Sequence, residues 1–334
     1  MPTHAAPAPL RRHWLKFLAA GAALPLAGCD LRYWLFGFPQ PEVTTRWPAS
    51  GVIELPFRAG PGGLVLVRGR VNDRAEVDFI LDTGAPVSLL LNGPDATRAL
   101  ALDTRNARKL GPSDNPASPV GVIAPDFTFD FGAVRLAGLS VVVMDDAQLP
   151  CPERFKAIDF SGVIGADLFK RFRIEVDHGA QRVRLHPPGA WQPGAQAARL
   201  PLHFHDGHVY IDAGLRLQNG GRGEAVAPLR LHLDTGKSTG LALIAGSRPE
   251  LVMPAEGAVQ RACLVAGTLE SRVGAPVELE FGALRTTIAA PLYEAPNRLL
   301  AAHRHGAIGI EVLSRYRFTV DYPGRQLVLQ ARTA

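Results

Sequence analysis

Phe79-Ile80-Leu81-Asp82-Thr83-Gly84 decides how this chain is read, because its pattern returns as Leu231-His232-Leu233-Asp234-Thr235-Gly236. In each copy an apolar, strand-like run leads straight into a carboxylate. Burying one such carboxylate is costly, since its charged form loses solvation. Two brought together can share one proton, which leaves one as an acid and the other as a base. The following glycine lets the backbone turn tightly and admits a neighbouring chain. A single Asp-Thr-Gly is an ordinary turn tripeptide, so the weight falls on the repetition.

The surroundings repeat as well. Phe131-Gly132-Ala133-Val134-Arg135 returns as Phe281-Gly282-Ala283-Leu284-Arg285, and Gly162-Val163-Ile164-Gly165 as Gly306-Ala307-Ile308-Gly309. From there the segment Leu168–Asp177 lies over Val312–Asp321 without a gap, and upstream Glu54-Leu55-Pro56-Phe57 parallels Arg199-Leu200-Pro201-Leu202. The offset is 152 residues at the aspartates, 150 at Phe-Gly-Ala and 144 at Ile-Gly. Fixed landmarks with drifting insertions between them are what two copies of one structural unit produce.

Each half resembles a retropepsin-type aspartic protease domain: apolar residues into Asp-Thr-Gly, a flap hairpin, then Ile-Gly leading into a short helix. The resemblance covers Ile53 to about Leu185 and Arg199 to about Gln330. It implies an all-β fold of two pseudo-symmetric acid-protease lobes, each a small closed barrel with one short helix, at Ala166–Phe172 and Glu311–Tyr316. It also implies that Asp82 and Asp234 face each other as the catalytic pair. In this reading Thr83 and Thr235 hydrogen-bond across to the opposite loop. The segments Ile164-Gly165 and Ile308-Gly309 brace the loops from beneath, and the flaps fall near Leu110–Pro125 and Val259–Pro276. Viral enzymes of this type are homodimers, whereas this chain carries both halves and is expected to act as a monomer, a single-chain pseudo-dimer. The implied reaction is peptide-bond hydrolysis of an extended polypeptide, with no cofactor and no metal.

Several positions depart from the family pattern. Lobe one, Asp82-Thr83-Gly84-Ala85-Pro86, has a proline two places after the glycine, where many members have a hydroxyl residue, and lobe two, Asp234-Thr235-Gly236-Lys237-Ser238, has a lysine where Ala, Ser or Thr is usual. A cation at Lys237 would favour the charged carboxylates. Two placements are open for it: inward, where it would also select acidic substrate groups, or outward as a solvated side chain. The altered loops also leave open a rival reading, a catalytically inactive peptide-binding lipoprotein of the same fold. His203, His205 and His208 alternate as metal ligands do, yet they align with the hairpin tip Phe57–Gly62 and read as a solvated turn. His303 and His305 precede Gly306, where family members line the cleft. Cys151 and Cys263 either bond, as an export compartment allows, or stay as buried thiols, the simpler reading.

The N-terminus sets the expected location. A basic start, Arg11-Arg12-His13-Trp14-Leu15-Lys16, precedes an apolar run of about a dozen residues, too short for a permanent span. Leu26-Ala27-Gly28-Cys29 resembles a bacterial lipobox, with Cys29 lipidated and Asp30 favouring the inner membrane, and the paired arginines resemble a twin-arginine signal. The expected organisation is a signal peptide at 1–28, a membrane-proximal tether at 29–52, lobe one at 53–186, a linker at 187–198 and lobe two at 199–331. This places the protein in the bacterial cell envelope, lipid-anchored and facing the periplasm. The 34 glycines and 28 prolines separate short apolar runs, as in a β-rich protein. The net charge of +5 rests on scattered arginines, without the basic block or interleaved aromatics of a nucleic-acid binder.

Overall fold

The computed structural model describes residues 42–92, 107–109, 120–145, 161–187, 197–205, 207–219, 222–264, 267–296 and 303–332, with the single positions 151, 153, 189, 191, 193 and 194. The signal segment, Cys29 and most of the expected first flap lie outside these residues. The fold is nearly all-β.

In the first half the strands are β1 (Glu42–Thr45), β2 (Ile53–Ala59), β3 (Val65–Val71), β4 (Ala75–Leu81), β5 (Leu89–Asn92), β6 (Ala107–Lys109), β7 (Val120–Asp130), β8 (Val134–Asp145) and β9 (Gly162–Ile164). They lead into helix α1 (Ala166–Phe169) and a hairpin of β10 (Arg173–Asp177) and β11 (Arg182–His186). The second half runs through β12 (Ala198–Pro201), β13 (His203–His205), β14 (His208–Asn219), β15 (Arg222–Asp234), β16 (Leu241–Ile244), β17 (Val259–Leu264) and β18 (Gly267–Val273). It continues with β19 (Val277–Phe281), β20 (Leu284–Ile288), β21 (Leu292–Glu294), β22 (Gly306–Gly309), helix α2 (Ile310–Leu313) and a hairpin of β23 (Tyr316–Asp321) and β24 (Gln326–Ala331).

Period-two patterning explains the outer strands. In β2, Ile53, Leu55 and Phe57 are buried while Glu54, Pro56 and Arg58 are exposed. Where a strand is covered on both faces the alternation gives way to a continuous apolar run, as in Phe79-Ile80-Leu81, all buried. Both halves then use the same pairing around their aspartates. β4 runs parallel to β9, which is antiparallel to β5, which is parallel to β8. Likewise β15 runs parallel to β22, which is antiparallel to β16, which is parallel to β21.

The halves meet in one sheet, with strand order β2-β11-β10-β23-β24-β12 along the shared edge. At its centre Ile174, Glu175 and Val176 face Val320, Thr319 and Phe318. Glu175 and Thr319 hold the same place in the sequence repeat, so the strand pairs with its own copy. A buried ion pair crosses this seam, Arg173 Nε to Asp321 Oδ2 at 2.9 Å. Its repeat-related counterpart is not formed: Arg317 instead donates to Gln330 Oε1 at 3.1 Å on the surface. A single hydrophobic core spans both halves, from Phe79 and Phe129 to Phe281 and Phe318.

Two expectations change here and one holds. Both helices are shorter than the sequence suggested, because Arg171 N bonds to Leu168 O and Arg315 N to Val312 O, three-residue closures that tighten the chain and end each helix after one turn. The segment assigned to the tether contributes β1, which pairs with β8, and Trp47 packs edge-on against Phe172 at 6.1 Å. In the expected second flap, Val259–Leu264 and Gly267–Val273 pair as an antiparallel hairpin.

Candidate active site

Asp82 follows β4 directly and Asp234 closes β15, so both carboxylates stand where a buried strand emerges. The two loops are locked to each other by four hydrogen bonds. Thr83 Oγ1 donates to Leu233 O (2.7 Å) and accepts from Thr235 N (3.1 Å). Thr235 Oγ1 donates to Leu81 O (2.8 Å) and accepts from Thr83 N (2.9 Å). Both threonines are buried. Each hydroxyl thus uses its proton and a lone pair across the interface, and neither loop can shift alone without orphaning buried backbone groups.

This lock brings the aspartates together. Asp82 Oδ1 accepts from Gly84 N at 2.6 Å and from Gly236 N, on the opposite loop, at 3.1 Å. A Cβ on Gly84 would lie 2.6 Å from Asp234 Oδ1, and one on Gly236 would overlap the Asp82 carboxylate. Only glycine admits the facing acid at either position. The side chain of Asp234 remains 24% exposed, which leaves the pair open to water and ligand from one side.

Beneath the first loop, Asp82 N bonds to Ile164 O (2.9 Å) and Ala166 N to Ala85 O (2.9 Å). Ser88 adds a polar brace: its N and Oγ both donate to Asp167 Oδ2, at 2.8 and 2.7 Å, and its Oγ accepts from Gly165 N at 3.3 Å. Beneath the second loop, Asp234 is in register with Gly309, Gly309 N bonds to Gly240 O (2.7 Å) and Ile310 N to Lys237 O (2.9 Å). The serine brace has no equivalent there, because Gly240 stands at the position of Ser88.

Burial raises both carboxyls above the ordinary range, and for Asp82 the neighbouring Asp234 charge adds to it. On the Asp234 side, Lys237, a hydrogen bond with Asp82, and Arg304 oppose the rise. The pair titrates as a unit and holds one proton well above the pH at which a solvated carboxyl would lose it. The asymmetric cations bias that proton toward Asp82. An ionised and a protonated carboxyl around one water constitute a general base beside a general acid.

Lys237 lies neither free in the cleft nor in solvent. Its Nζ sits 3.3 Å from Glu294 Oε1, with both side chains nearly buried. Its partner is 57 residues away in sequence, beyond the reach of local pattern reading. His232, two residues before Asp234, is another feature the sequence reading passed over. It is buried, and Arg304 Nη1 lies 3.0 Å from its Nδ1. Arginine only donates, so Nδ1 accepts and the ring proton sits on Nε2. Burial, then the charges of Arg304, His208 and Lys237, hold the ring neutral. The 3.9 Å approach of Nδ1 to Asp234 Oδ2 is therefore a dipolar contact rather than an ion pair. The available signal was a histidine at the strand position that Ile80 fills in the first half.

Cys151 and Cys263 are bonded to each other, correcting the simpler reading of two thiols. The bond ties the β17–β18 hairpin to the segment ahead of β9. His203 Nε2 contacts Asp212 Oδ2 at 3.1 Å, and the His205 and His303 rings lie 3.8 Å apart. Among the described residues no cluster of three or more His, Cys, Asp or Glu side chains could hold a metal. His305 Nδ1 accepts from Arg230 N at 2.9 Å.

No protein-family model matches the chain, and no curated protein matches it. Among solved structures, its fold is similar to the crystal structure of basic 7S globulin from soybean, at 11% identity over 85% of this chain and 95% of that one, with a TM-score of 0.48.

Proposed function

We propose that this protein is an aspartic endopeptidase of the retropepsin type, with both lobes carried on one chain. The observation that carries the reading is the cross-bonded Thr83–Thr235 lock that sets two part-exposed, proton-sharing carboxyls against each other. A water between Asp82 and Asp234 is activated by the ionised carboxylate, while the protonated partner hydrogen-bonds the scissile carbonyl and donates its proton as the tetrahedral intermediate forms. The reaction needs no covalent intermediate. The substrate lies extended, pairing through its backbone with the β17–β18 hairpin.

The lipobox-like Leu26-Ala27-Gly28-Cys29 supports a lipid anchor at Cys29 and work on envelope polypeptides from the periplasmic side. Acylation contributes roughly 0.8 kcal/mol per buried methylene, so several chains on one cysteine hold durably. Replacing Cys29 with Ala releases the protein from the membrane fraction if this holds.

The decisive experiment is digestion of a denatured envelope proteome by the mature chain beside Asp82→Asn and Asp234→Asn. Loss of either carboxyl should lower turnover by at least about 10²–10⁴-fold, with thermal unfolding little changed. A wild-type chain that binds peptides and cleaves none identifies the inactive peptide-binding reading instead, toward which Pro86 points.

A further inference from the structure

On the second half lies a cavity of ≈ 620 Å³ lined by Asp212, Arg230, Arg248, His303, Arg304 and His305 among others. Three of these are guanidiniums, and one carboxylate opposes them. That carboxylate is already engaged: Arg230 holds Asp212 through two hydrogen bonds, at 3.0 and 3.1 Å, and His203 adds a third contact. Arg248 is different. Its Nε is buried without a hydrogen-bond partner, and so is the Nε of Arg304. Burying a guanidinium N–H with no acceptor is unfavourable, and both side chains also line this cavity, so an anion entering it meets two guanidiniums that no described carboxylate bonds. Burial, together with the charges of Arg248 and Arg230, also holds His305 neutral, as expected in a cation-rich site.

The cavity is connected to the dyad. Arg304 forms part of its wall, bonds to His232, and His232 contacts Asp234. A polypeptide lying over the aspartates would meet this cavity at Arg304, the guanidinium that joins its wall to the dyad.

We infer that this cavity is a subsite for an acidic side chain, so that the preferred substrates are extended polypeptides carrying Asp or Glu near the bond held over Asp82 and Asp234. The inference deepens the proteolytic reading and rests on its peptide cleft. Arginine suits the task because its planar fork matches a carboxylate bidentately. The equivalent region of the first half offers no such charge in the strand itself, with Ile80 where His232 stands, so the preference would apply to one side of the scissile bond only.

The test uses the full mature chain bearing Asp82→Asn, which removes cleavage as a confounding readout. The immobilised protein is exposed to a C-terminally amidated peptide library prepared from envelope proteins, and bound peptides are sequenced by mass spectrometry. Peptides with internal Asp or Glu should be enriched about tenfold over neutral ones, and adding Arg248→Gln should abolish the enrichment. Arg248→Lys, which keeps the charge and loses the planar fork, should restore only part of it. A lack of enrichment overturns the inference, as does enrichment unchanged by Arg248→Gln. Thermal unfolding of Arg248→Gln is compared with that of Asp82→Asn alone, and a loss of enrichment that comes with a lowered unfolding temperature counts against the subsite too. Acidic capture by a chain whose wild type never cleaves refutes the protease reading alone. Cleavage without charge preference refutes the subsite alone.

Discussion

Around Asp82 the loop is flanked by Ile80 and Ala85 and fastened through Ser88 to Asp167, whereas around Asp234 the equivalent positions hold His232, Lys237 and Gly240. The backbone pairing, the threonine lock and the glycines are common to both. What differs is the electrostatic surrounding. Two copies of a loop in one chain are free to diverge wherever a side chain points away from the shared hydrogen bonds, and here the second copy has taken up the charges. The shared geometry sets two carboxyls against each other, and the divergent field biases which of them keeps the proton.

The largest test of that division lies at the seam. Arg173→Ala should destabilise the fold by about 3–5 kcal/mol, because it leaves Asp321 buried without its ion-pair partner. Its repeat-related counterpart Arg317→Ala should cost under about 1 kcal/mol, as exposed contacts do. Denaturant unfolding measures both, and equal costs would show that the seam is symmetric in energy after all. Burial raises the Asp321 carboxyl, but Gln326, Arg173 and Gly324 outweigh it and hold it below the ordinary range. A carboxyl depressed in the folded state adds stability above its unfolded value of about 3.9 and loses it only as pH falls through the lower folded value. The seam should therefore survive mildly acidic conditions intact.

Next in size, Thr83→Val and Thr235→Val should each cost about 2–3 kcal/mol and nearly the same amount, since each orphans one buried carbonyl and one buried N–H. The double variant should cost less than the sum, because the four bonds form one network.

A smaller effect concerns pH. Lys237 stabilises the ionised form of Asp234, which lowers the pH at which the pair loses its last shared proton. Replacing it as Lys237→Met together with Glu294→Gln, so that no buried charge is left alone, should move the alkaline limb of the pH–rate profile upward by about half a unit. An unmoved limb would place control of the dyad with Arg304 instead.

Smallest of all, Gly240→Ser transfers the brace of the first half to the second. A Cβ there meets Val312 Cγ2 at 3.4 Å and Glu311 Oε2 at 3.5 Å, which brings the new hydroxyl near a carboxylate. A gain of about 0.5 kcal/mol in thermal unfolding is expected, and a loss would mean that Val312 cannot give way.

Much of this arrangement was legible in the residues. Repeated Asp-Thr-Gly and Ile-Gly landmarks predicted the paired loops and strands beneath them, because strand burial and glycine turns leave local marks. The surroundings of Asp234 were not. Glu294 meets Lys237, and Arg304 meets His232, only through strand order, and a long-range ion pair has no local period. His232 was hidden inside a run that otherwise reads as core. The cysteine pair, 112 residues apart, could be recognised as possible but not as made, since pairing depends on where two loops come to rest.

The central seam has a consequence for how this protein behaves when scarce. Two separate subunits meeting along the β10–β23 edge would part on dilution, and their dyad would vanish with them. Joined by a segment of about a dozen residues, the halves meet at an effective concentration in the millimolar range, whatever the amount of protein present. A handful of molecules per cell would each carry a complete site.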